Sequence, residues 1–366
     1  MTPLWKALIL AVATAKFRDA TAFTSAAPRR SQPLTLHSPV SLAVPVPEKE
    51  KLNEYPPLPP GCPFSPEEWA QRCSLAVSYR IAFMEDWHMN IFNHITLRVV
   101  GSEGEPDGPH FLLNDYGQAF DEVTASSLLK VTLNGAQVPP PTTTTTKTTA
   151  PPGRGRGRVF KAGYVLHSAL HAGRDDVAAV WHCHHVDSTA VCQTAVGLLP
   201  ISQEATFALA KGLRYHPYEG SVNSQEEMPR FLSSLGPTDR VLMLEDHGPL
   251  VVGGGIEEAY STMWFLTRAC TYQIRSMSSV GGDVSRIHVP TDEVQREMDR
   301  RMESFDEAPA VASGEGERGN DGGSGREDGS EEGNEGAAET HDTEGLMFAC
   351  ARRAAERHFG AENIYA

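Results

Sequence analysis

Apolar residues between positions 61 and 300 recur at helical spacing in some stretches and in short strand-like runs in others. Helical spacing predicts helices from 65 to about 87, over 164–173, near 187–195, 203–211 and 225–235, and from 256 to about 279. Short apolar runs predict strands at 94–100, around 111–113, at 129–133, at 177–182 and at 241–244. Strands that alternate with helices predict an α/β domain built in layers.

A helix start signal marks the beginning of the domain. Ser65 is of the N-cap type, Pro66 falls in the first turn and Glu68 takes the capping-box position. The Pro-rich residues 56–60 before it are typical of a linker. The domain is therefore expected over residues 61–300.

Two later segments contain too few apolar residues to build a core. Residues 138–158 combine prolines, a threonine run and an Arg-Gly repeat, which predicts a low-complexity loop within the domain. Residues 301–345 are acidic and Gly-rich, and this composition predicts a disordered tract. Helical periodicity then returns in residues 346–366, so a C-terminal helix ending at Gly360 is expected.

The N-terminus has the features of a targeting sequence. Residues 1–22 combine a short apolar run with a small-residue cleavage site before Phe23, which predicts a signal peptide too short to span a bilayer. Residues 23–60 lack an acidic side chain until Glu48, and with Phe23 at their start they resemble the transit part of a bipartite plastid-targeting sequence. Plastid localisation is therefore predicted, with the secretory pathway or the cytoplasm as alternatives.

The net charge of −15 is concentrated in one place. Residues 303–344 hold 14 acidic side chains against two arginines, a net charge of −12 that leaves the rest of the chain near −3. This balance offers no basic surface for nucleic acid or for an anionic membrane, and no stable membrane anchor is predicted. The six cysteines have no CxxC spacing, which favours reduced thiols over a disulfide framework.

The strongest candidate chemistry is a set of histidines at strand ends. His182 and His184 close one strand, where residues two apart share a face, and His247 follows the strand at 241–244. Three imidazoles suit a catalytic divalent metal with one open position, although a histidine pair at the end of a strand could instead simply cap the sheet. Cys183 is expected on the opposite face, in the core. The helical pair His167 and His171 favours packing against the sheet over zinc binding.

Three groups of motifs in this order resemble the class II aldolase/adducin domain family over about residues 67–282. They are Asn93-His-Ile-Thr-Leu-Arg98 with Asn114-Asp-Tyr-Gly117 and Asp121-Glu-Val-Thr-Ala-Ser126; His167-Ser-Ala-Leu-His171 with His182-Cys-His184; and Asp246-His247-Gly248 with Leu250-Val-Val-Gly253. The resemblance implies a three-layer α/β/α sandwich with a central mixed, largely antiparallel sheet. It also implies a homotetramer, and Zn²⁺, or else Fe²⁺ or Mn²⁺, on His182, His184 and His247.

The resemblance also implies roles for other residues. Asn93, Thr96, Gly117 and Lys161 are the expected substrate-binding positions. Gly163 stands where the sugar-phosphate aldolases of the family have an acid/base glutamate, so Tyr164, His167, His185 or a tyrosine of a neighbouring subunit are the candidate proton carriers.

The family's phosphate-binding positions also differ in this chain. The small residues expected there fall on Tyr116, Lys161 and Ala162, and only Gly117 matches. A phosphorylated sugar is therefore not the expected substrate, although Lys161 could serve a carboxylate.

Three functions remain open from the sequence. The first is a divalent-metal-dependent lyase for a small hydroxylated carbonyl or carboxylate compound, acting by aldol cleavage or decarboxylation. The second is a non-catalytic, adducin-like scaffold with actin or the cytoskeleton as partner. The third is a non-haem iron oxygenase on the same fold, since three imidazoles accept Fe²⁺ as well as Zn²⁺.

Overall fold

The computed structural model of the chain describes residues 54–140, 157–220, 225–303 and 342–366. The signal segment 1–22 and most of the transit segment 23–60 lie outside these residues, so plastid import stays a prediction. Residues 141–156 of the predicted low-complexity loop and 304–341 of the acidic tract also lie outside them. Among the described residues, no helix is both long enough and apolar enough to cross a bilayer.

Seven strands and nine α-helices make up the described part of the chain. The strands are β1 (His94–Arg98), β2 (His110–Leu113), β3 (Leu129–Thr132), β4 (Ala179–His182), β5 (Leu213–His216), β6 (Val241–Leu244) and β7 (Gly248–Gly253). The helices are α1 (Pro66–Met84), α2 (Lys161–Gly173), α3 (Val186–Cys192), α4 (Gln203–Ala210), α5 (Met228–Leu235), α6 (Ile256–Ser279), α7 (Asp292–Glu303), α8 (Thr343–Phe359) and α9 (Ala361–Ile364).

One mixed, largely antiparallel sheet contains all seven strands. Its order is β3-β2-β1-β4-β7-β6-β5, and the parallel pair is β5 with β6. In the centre of the sheet, His94 pairs with His182, and His182 pairs with Leu250 on the other side. The start of β1 with His94, the end of β4 with His182 and the turn just before β7, which holds His247, therefore lie side by side.

Helices cover both faces of the sheet, which confirms the predicted three-layer α/β/α sandwich. On one face, Trp181, Met243 and Val251 pack with buried residues of α1, α4, α6 and α8. On the other, Leu242 and Val252 belong to a cluster with residues of α2 and α5. Each side of a central strand is thus apolar, as expected for a sheet buried on both faces.

The local helix signal at residue 65 works as predicted. The hydroxyl of Ser65 accepts a hydrogen bond from the Glu68 backbone N–H at 3.1 Å, and Pro66 is the first helical residue. The helix ends at Met84 rather than near Trp87, because Trp87 turns back into the core, where it is 1% exposed. The pattern at 256–279 is also recovered as α6.

Three elements were absent from the prediction. Strand β5 is short and half polar, helix α7 is almost entirely polar, and β7 begins with Gly248-Pro249, a pair that usually indicates a turn. Each depends on its neighbours in the fold more than on its own sequence.

Both ends of the domain pack on the core. Tyr55 forms an edge-to-face ring contact with Tyr365, and the indole of Trp69 donates to the Pro56 carbonyl at 3.1 Å. The Pro-rich residues 56–60, predicted to be a linker, are therefore held against α1 at Pro56. Helix α8 begins at Thr343, within the predicted acidic tract, and buries Phe348 completely.

Candidate functional site

The end of β4 and the β6–β7 turn bring three histidines together. His182 is the last residue of β4, and His184 follows two residues later. His247 lies in the turn between β6 and β7, where Asp246 has a positive φ of 56°. Because β7 pairs with β4, this turn stands next to His182.

The three imidazoles converge closely. Their ring centroids are 4.8 Å apart for His182 and His184, 4.9 Å for His182 and His247, and 4.8 Å for His184 and His247. One ligand nitrogen from each ring lies within 4.8 Å of the other two, and the Nε2 atoms of His182 and His184 are 3.0 Å apart. Such a set of nitrogen donors fits a divalent ion with an open coordination position.

Hydrogen bonding and burial keep this set in the form that binds metals. The Nδ1 atom of His182 lies 3.0 Å from the Pro249 carbonyl oxygen, which can only accept, so Nδ1 donates and Nε2 carries the lone pair. Burial lowers the pKa of His182 well below its ordinary value, with His247 and His184 acting in the same direction. Burial lowers the pKa of His184 to about 4. The imidazoles are therefore neutral at neutral pH.

A hydrogen-bonded chain fixes His167 beside this group. His171 Nδ1 lies 3.2 Å from the Val177 carbonyl oxygen, so it donates there and leaves Nε2 to accept from the Thr96 hydroxyl at 2.8 Å. That hydroxyl must then accept from His167 Nδ1, also at 2.8 Å. The Nε2 atom of His167 is left with a lone pair, and it has no hydrogen-bond partner in the described structure.

His94 lies next to both histidine groups. Its ring centroid is 4.2 Å from that of His167 and 6.4 Å from that of His182. A Cβ atom built on Gly163 would overlap its ring. Burial lowers the pKa of His94 to about 4, and the nearby carbonyls of Gly163 and Phe92 oppose this shift. Within the described residues, neither ring nitrogen makes a hydrogen bond of normal geometry.

Of the three predicted proton carriers within one subunit, two make hydrogen bonds elsewhere. The Tyr164 hydroxyl donates to the Thr132 carbonyl at 2.5 Å, and its ring packs beside β2 and β3, so the structure does not bring it to the three imidazoles. The Nδ1 atom of His185 lies 3.0 Å from the Ser188 hydroxyl at the start of α3. His167 is the predicted carrier that lies close to His94 and His182.

The predicted substrate-binding residues have different environments. Thr96 is fully buried, and its hydroxyl is occupied by two histidines, so it supports the site from within the protein. Asn93 is 1% exposed, and its amide oxygen and nitrogen have no partner in the described structure. Gly117 has a positive φ of 103°, which explains the glycine at that turn, and Lys161 is exposed at the start of α2.

An aromatic cluster occupies the region near Gly117. The rings of Tyr116 and Phe160 stack with their centroids 4.9 Å apart and their planes 14° apart, and the Arg158 guanidinium lies 5.9 Å from the Tyr116 centroid. Phe160 also approaches His94, at 6.2 Å between centroids. Tyr116, at a position where the family resemblance implies a small phosphate-binding residue, therefore carries a ring stacked on Phe160.

A small, solvent-open depression with a cavity volume of about 20 Å³ has His247 in its wall. Its walls come from β5, the β6–β7 turn and the segment around α5, and they are His216, Pro217, Tyr218, Glu219, Gly220, Glu227, Phe231, Leu244 and Glu245. Solvent therefore reaches His247 from this side.

His94 was not among the predicted site residues, although the sequence contains a signal for it. In a strand, residues two apart share a face, so His94 and Thr96 of β1 point towards the same layer. The prediction that Thr96 belongs to the site extends by this periodicity to His94. The contact of the Pro249 carbonyl with His182 depends on the β4–β7 register, so it could not be predicted from the residue types alone.

Known proteins resemble this chain across the same region. A protein from Caulobacter vibrioides named putative aldolase class 2 protein is 37% identical over 240 residues, covering 65% of this chain and 85% of its own length. Alpha-adducin from Rattus norvegicus is 41% identical over 212 residues, covering 58% of this chain but 26% of its own length.

A solved structure agrees with the fold. The aldolase II superfamily protein from Pseudomonas syringae is 32% identical, with a TM-score of 0.62, and the match covers 81% of this chain and 96% of that one. The family model described as Class II Aldolase and Adducin N-terminal domain matches residues 73–274, which is more than half of the chain. The chain therefore belongs to the class II aldolase and adducin family.

Proposed function

We propose that the chain is a divalent-metal-dependent lyase acting on a small hydroxylated carbonyl or carboxylate compound, by aldol cleavage or decarboxylation. The observation that carries the proposal is the convergence of His182, His184 and His247, with one ligand nitrogen from each within 4.8 Å of the others. Zn²⁺ is the metal we propose, with Fe²⁺ or Mn²⁺ as alternatives on the same ligands. When bound there, a divalent cation supplies Lewis-acid polarisation of a substrate carbonyl.

The protein's own residues prepare this site. The Pro249 carbonyl holds His182 in the tautomer that presents Nε2, and burial keeps the imidazoles neutral. The buried amide of Asn93 has no partner in the described structure, which supports its role in binding the substrate. His167, held by Thr96, is the residue that we propose as the proton carrier.

The surroundings favour a carboxylate over a phosphate. The Tyr116–Phe160 stack fills space that small residues would leave open for a phosphate group. Arg158 lies beside the stack and Lys161 follows Phe160 in the chain, and both can pair with a carboxylate as well as with a phosphate, so the preference rests on the space that the rings occupy. We therefore propose a non-phosphorylated substrate. By analogy with the family, we also propose a homotetramer.

A non-catalytic scaffold is the second candidate. The 41% identity to alpha-adducin over 212 residues supports it, with the cytoskeleton as the partner class. Such a protein does not need a metal. Metal content therefore separates the two functions.

The test is elemental analysis of the purified full chain, followed by a substrate screen. We expect about one divalent ion per subunit, and cleavage or decarboxylation of hydroxy-keto acids that stops when a chelator removes the ion. Ketose phosphates should react poorly. A chain that retains neither Zn²⁺, Fe²⁺, Mn²⁺ nor Co²⁺ would support the scaffold. Consumption of O₂ by the Fe²⁺-loaded protein would support an oxygenase instead.

A further inference from the structure

A buried histidine adjoins the proposed metal ligands without being one of the three that converge. His94 is the first residue of β1, is 3% exposed, and pairs in register with His182 of β4. The residues whose ligand atoms all lie within 4.8 Å of one another are His182, His184 and His247. The ring of His94 is thus close to the site but outside the ligand set.

Gly163 provides the space for this ring. It is the third residue of α2, and a Cβ atom there would overlap the Cε1 and Nε2 atoms of His94 and come within 2.8 Å of Nδ1. A residue with any side chain at position 163 would therefore displace the imidazole. The imidazole of His94 can occupy this position only because residue 163 has no side chain.

The polar atoms around this ring lack partners in the described structure. Both nitrogens of His94 and the Nε2 atom of His167, whose ring centroid lies 4.2 Å from that of His94, are buried without a hydrogen bond of normal geometry. Buried polar groups are nearly always paired, so a cluster of unpaired ones indicates a place that a polar ligand fills. The aromatic rings of Phe160 and His167 hold His94 on two sides and fix its position.

We propose that His94 is a substrate-binding residue that hydrogen-bonds a hydroxyl group next to the reacting carbonyl. A hydroxyl both donates and accepts, so it matches a neutral imidazole in either tautomer. The inference rests on the proposed function, because it assumes that the carbonyl is held at the three histidines. It adds a specificity: the site prefers a hydroxylated ligand over the same ligand without the hydroxyl.

Two probes that differ by one hydroxyl test this preference. Acetohydroxamate and glycolohydroxamate both chelate a metal, and the second carries the extra hydroxyl. Their dissociation constants are measured from the visible absorption of the Co²⁺-loaded full chain. We expect the wild type to bind glycolohydroxamate roughly tenfold more tightly, the effect of one good hydrogen bond.

Two variants remove His94 from its position in independent ways. His94→Phe keeps a flat ring over Gly163 but removes both nitrogens, and Gly163→Ala displaces the imidazole without changing its chemistry. Both should bring the preference for glycolohydroxamate close to onefold, while Co²⁺ content and acetohydroxamate affinity stay as in the wild type. His94→Gln, which keeps hydrogen-bonding groups, should retain part of the preference.

The outcomes separate this inference from the proposed function. A wild type that takes up no Co²⁺ would overturn the proposed function, and this inference with it. A wild type that binds Co²⁺ but shows no preference, or a His94→Phe variant that keeps the preference, would overturn only the inference. A changed Co²⁺ content in His94→Phe would also overturn it, because His94 would then be a metal ligand.

Discussion

The Nδ1 atom of His182 lies 3.0 Å from the carbonyl oxygen of Pro249. The proline is the second residue of β7, so this contact depends on the pairing of β4 with β7. A backbone carbonyl that accepts from one nitrogen fixes the tautomer and presents the other nitrogen's lone pair. The sheet itself thereby orients the first of the three imidazoles.

Removal of one converging imidazole should abolish metal retention. His184→Ala takes away a nitrogen that lies 3.0 Å from His182 Nε2, and we expect metal affinity to fall by more than the roughly 10- to 100-fold that follows loss of a supporting residue. His185→Ala is the matched control, because the Nδ1 atom of His185 lies within hydrogen-bonding distance of the Ser188 hydroxyl and not among the converging nitrogens. Metal content after dialysis measures both. Equal retention by the two variants would contradict the proposed ligand set.

The metal-free protein should lose stability as the pH falls from about 6.5 towards 4. Burial lowers the pKa of His94 and of His184 to about 4 in the folded state, whereas unfolded histidines titrate near 6.5. Protons therefore bind the unfolded chain preferentially in this window, and stability present above pH 6.5 is lost below it. His94 alone contributes about 2 kcal/mol of this loss between pH 7 and pH 5.

Chemical denaturation of the chelator-treated protein at pH 7 and pH 5 measures this effect. His94→Phe should reduce the difference between the two free energies of unfolding. The control substitution is His288→Ala, which removes an exposed histidine instead of a buried one. A difference that is the same in wild type and His94→Phe would mean that His94 titrates normally in the folded protein.

Gly163→Ala should destabilise the protein, although alanine is ordinarily the better helix residue by about 1 kcal/mol. The added Cβ overlaps the His94 ring, and forced repacking of this kind costs about 1–3 kcal/mol. His94→Ala should relieve the overlap, so the double variant should be more stable than the sum of the single effects predicts. If the changes in the free energy of unfolding of the two single variants simply add up to that of the double variant, the contact is ruled out. Gly163→Glu meets the same obstacle.

The boundary of the acidic tract can be tested by two deletions. The Asp342 carboxylate caps α8 by accepting from the Gly345 N–H at 2.9 Å, and Glu344 pairs with Lys211 at 2.8 Å. Deletion of residues 308–341 should leave the melting temperature unchanged. Deletion of 308–345 should cost about 1–2 kcal/mol, mostly through the lost cap. Equal melting temperatures for both deletions would show that the cap does not contribute.

The sequence predicted the layers and the converging histidines because each has a local signal. Helix α6 follows a long amphipathic period, and the histidines stand at the ends of apolar strands. Cys183, predicted in the core, is fully buried, with its Sγ atom 3.5 Å from Met263 Sδ.

Other features depended on the register between distant segments. The close approach of position 163 to His94 is a contact between a helix and a strand that lies about 70 residues earlier. The hydrophobic pattern within either element does not predict it. Thr96 was predicted to bind substrate, but its hydroxyl is shared by two histidines of α2. The strand β7, which orients His182, begins with a glycine and a proline and has no strand signal at that point.

The C-terminal residues 342–366 are held to the domain by side chains such as Phe348 and Tyr365. These residues therefore bind the domain as a tethered peptide would, within the same chain. A longer tether lowers the local concentration of such a peptide only slowly, since doubling a flexible connection costs roughly 0.6 kcal/mol. The acidic tract, whose composition predicts disorder, should therefore tolerate wide changes in length without release of α8, and a cut within it should leave two pieces that remain associated.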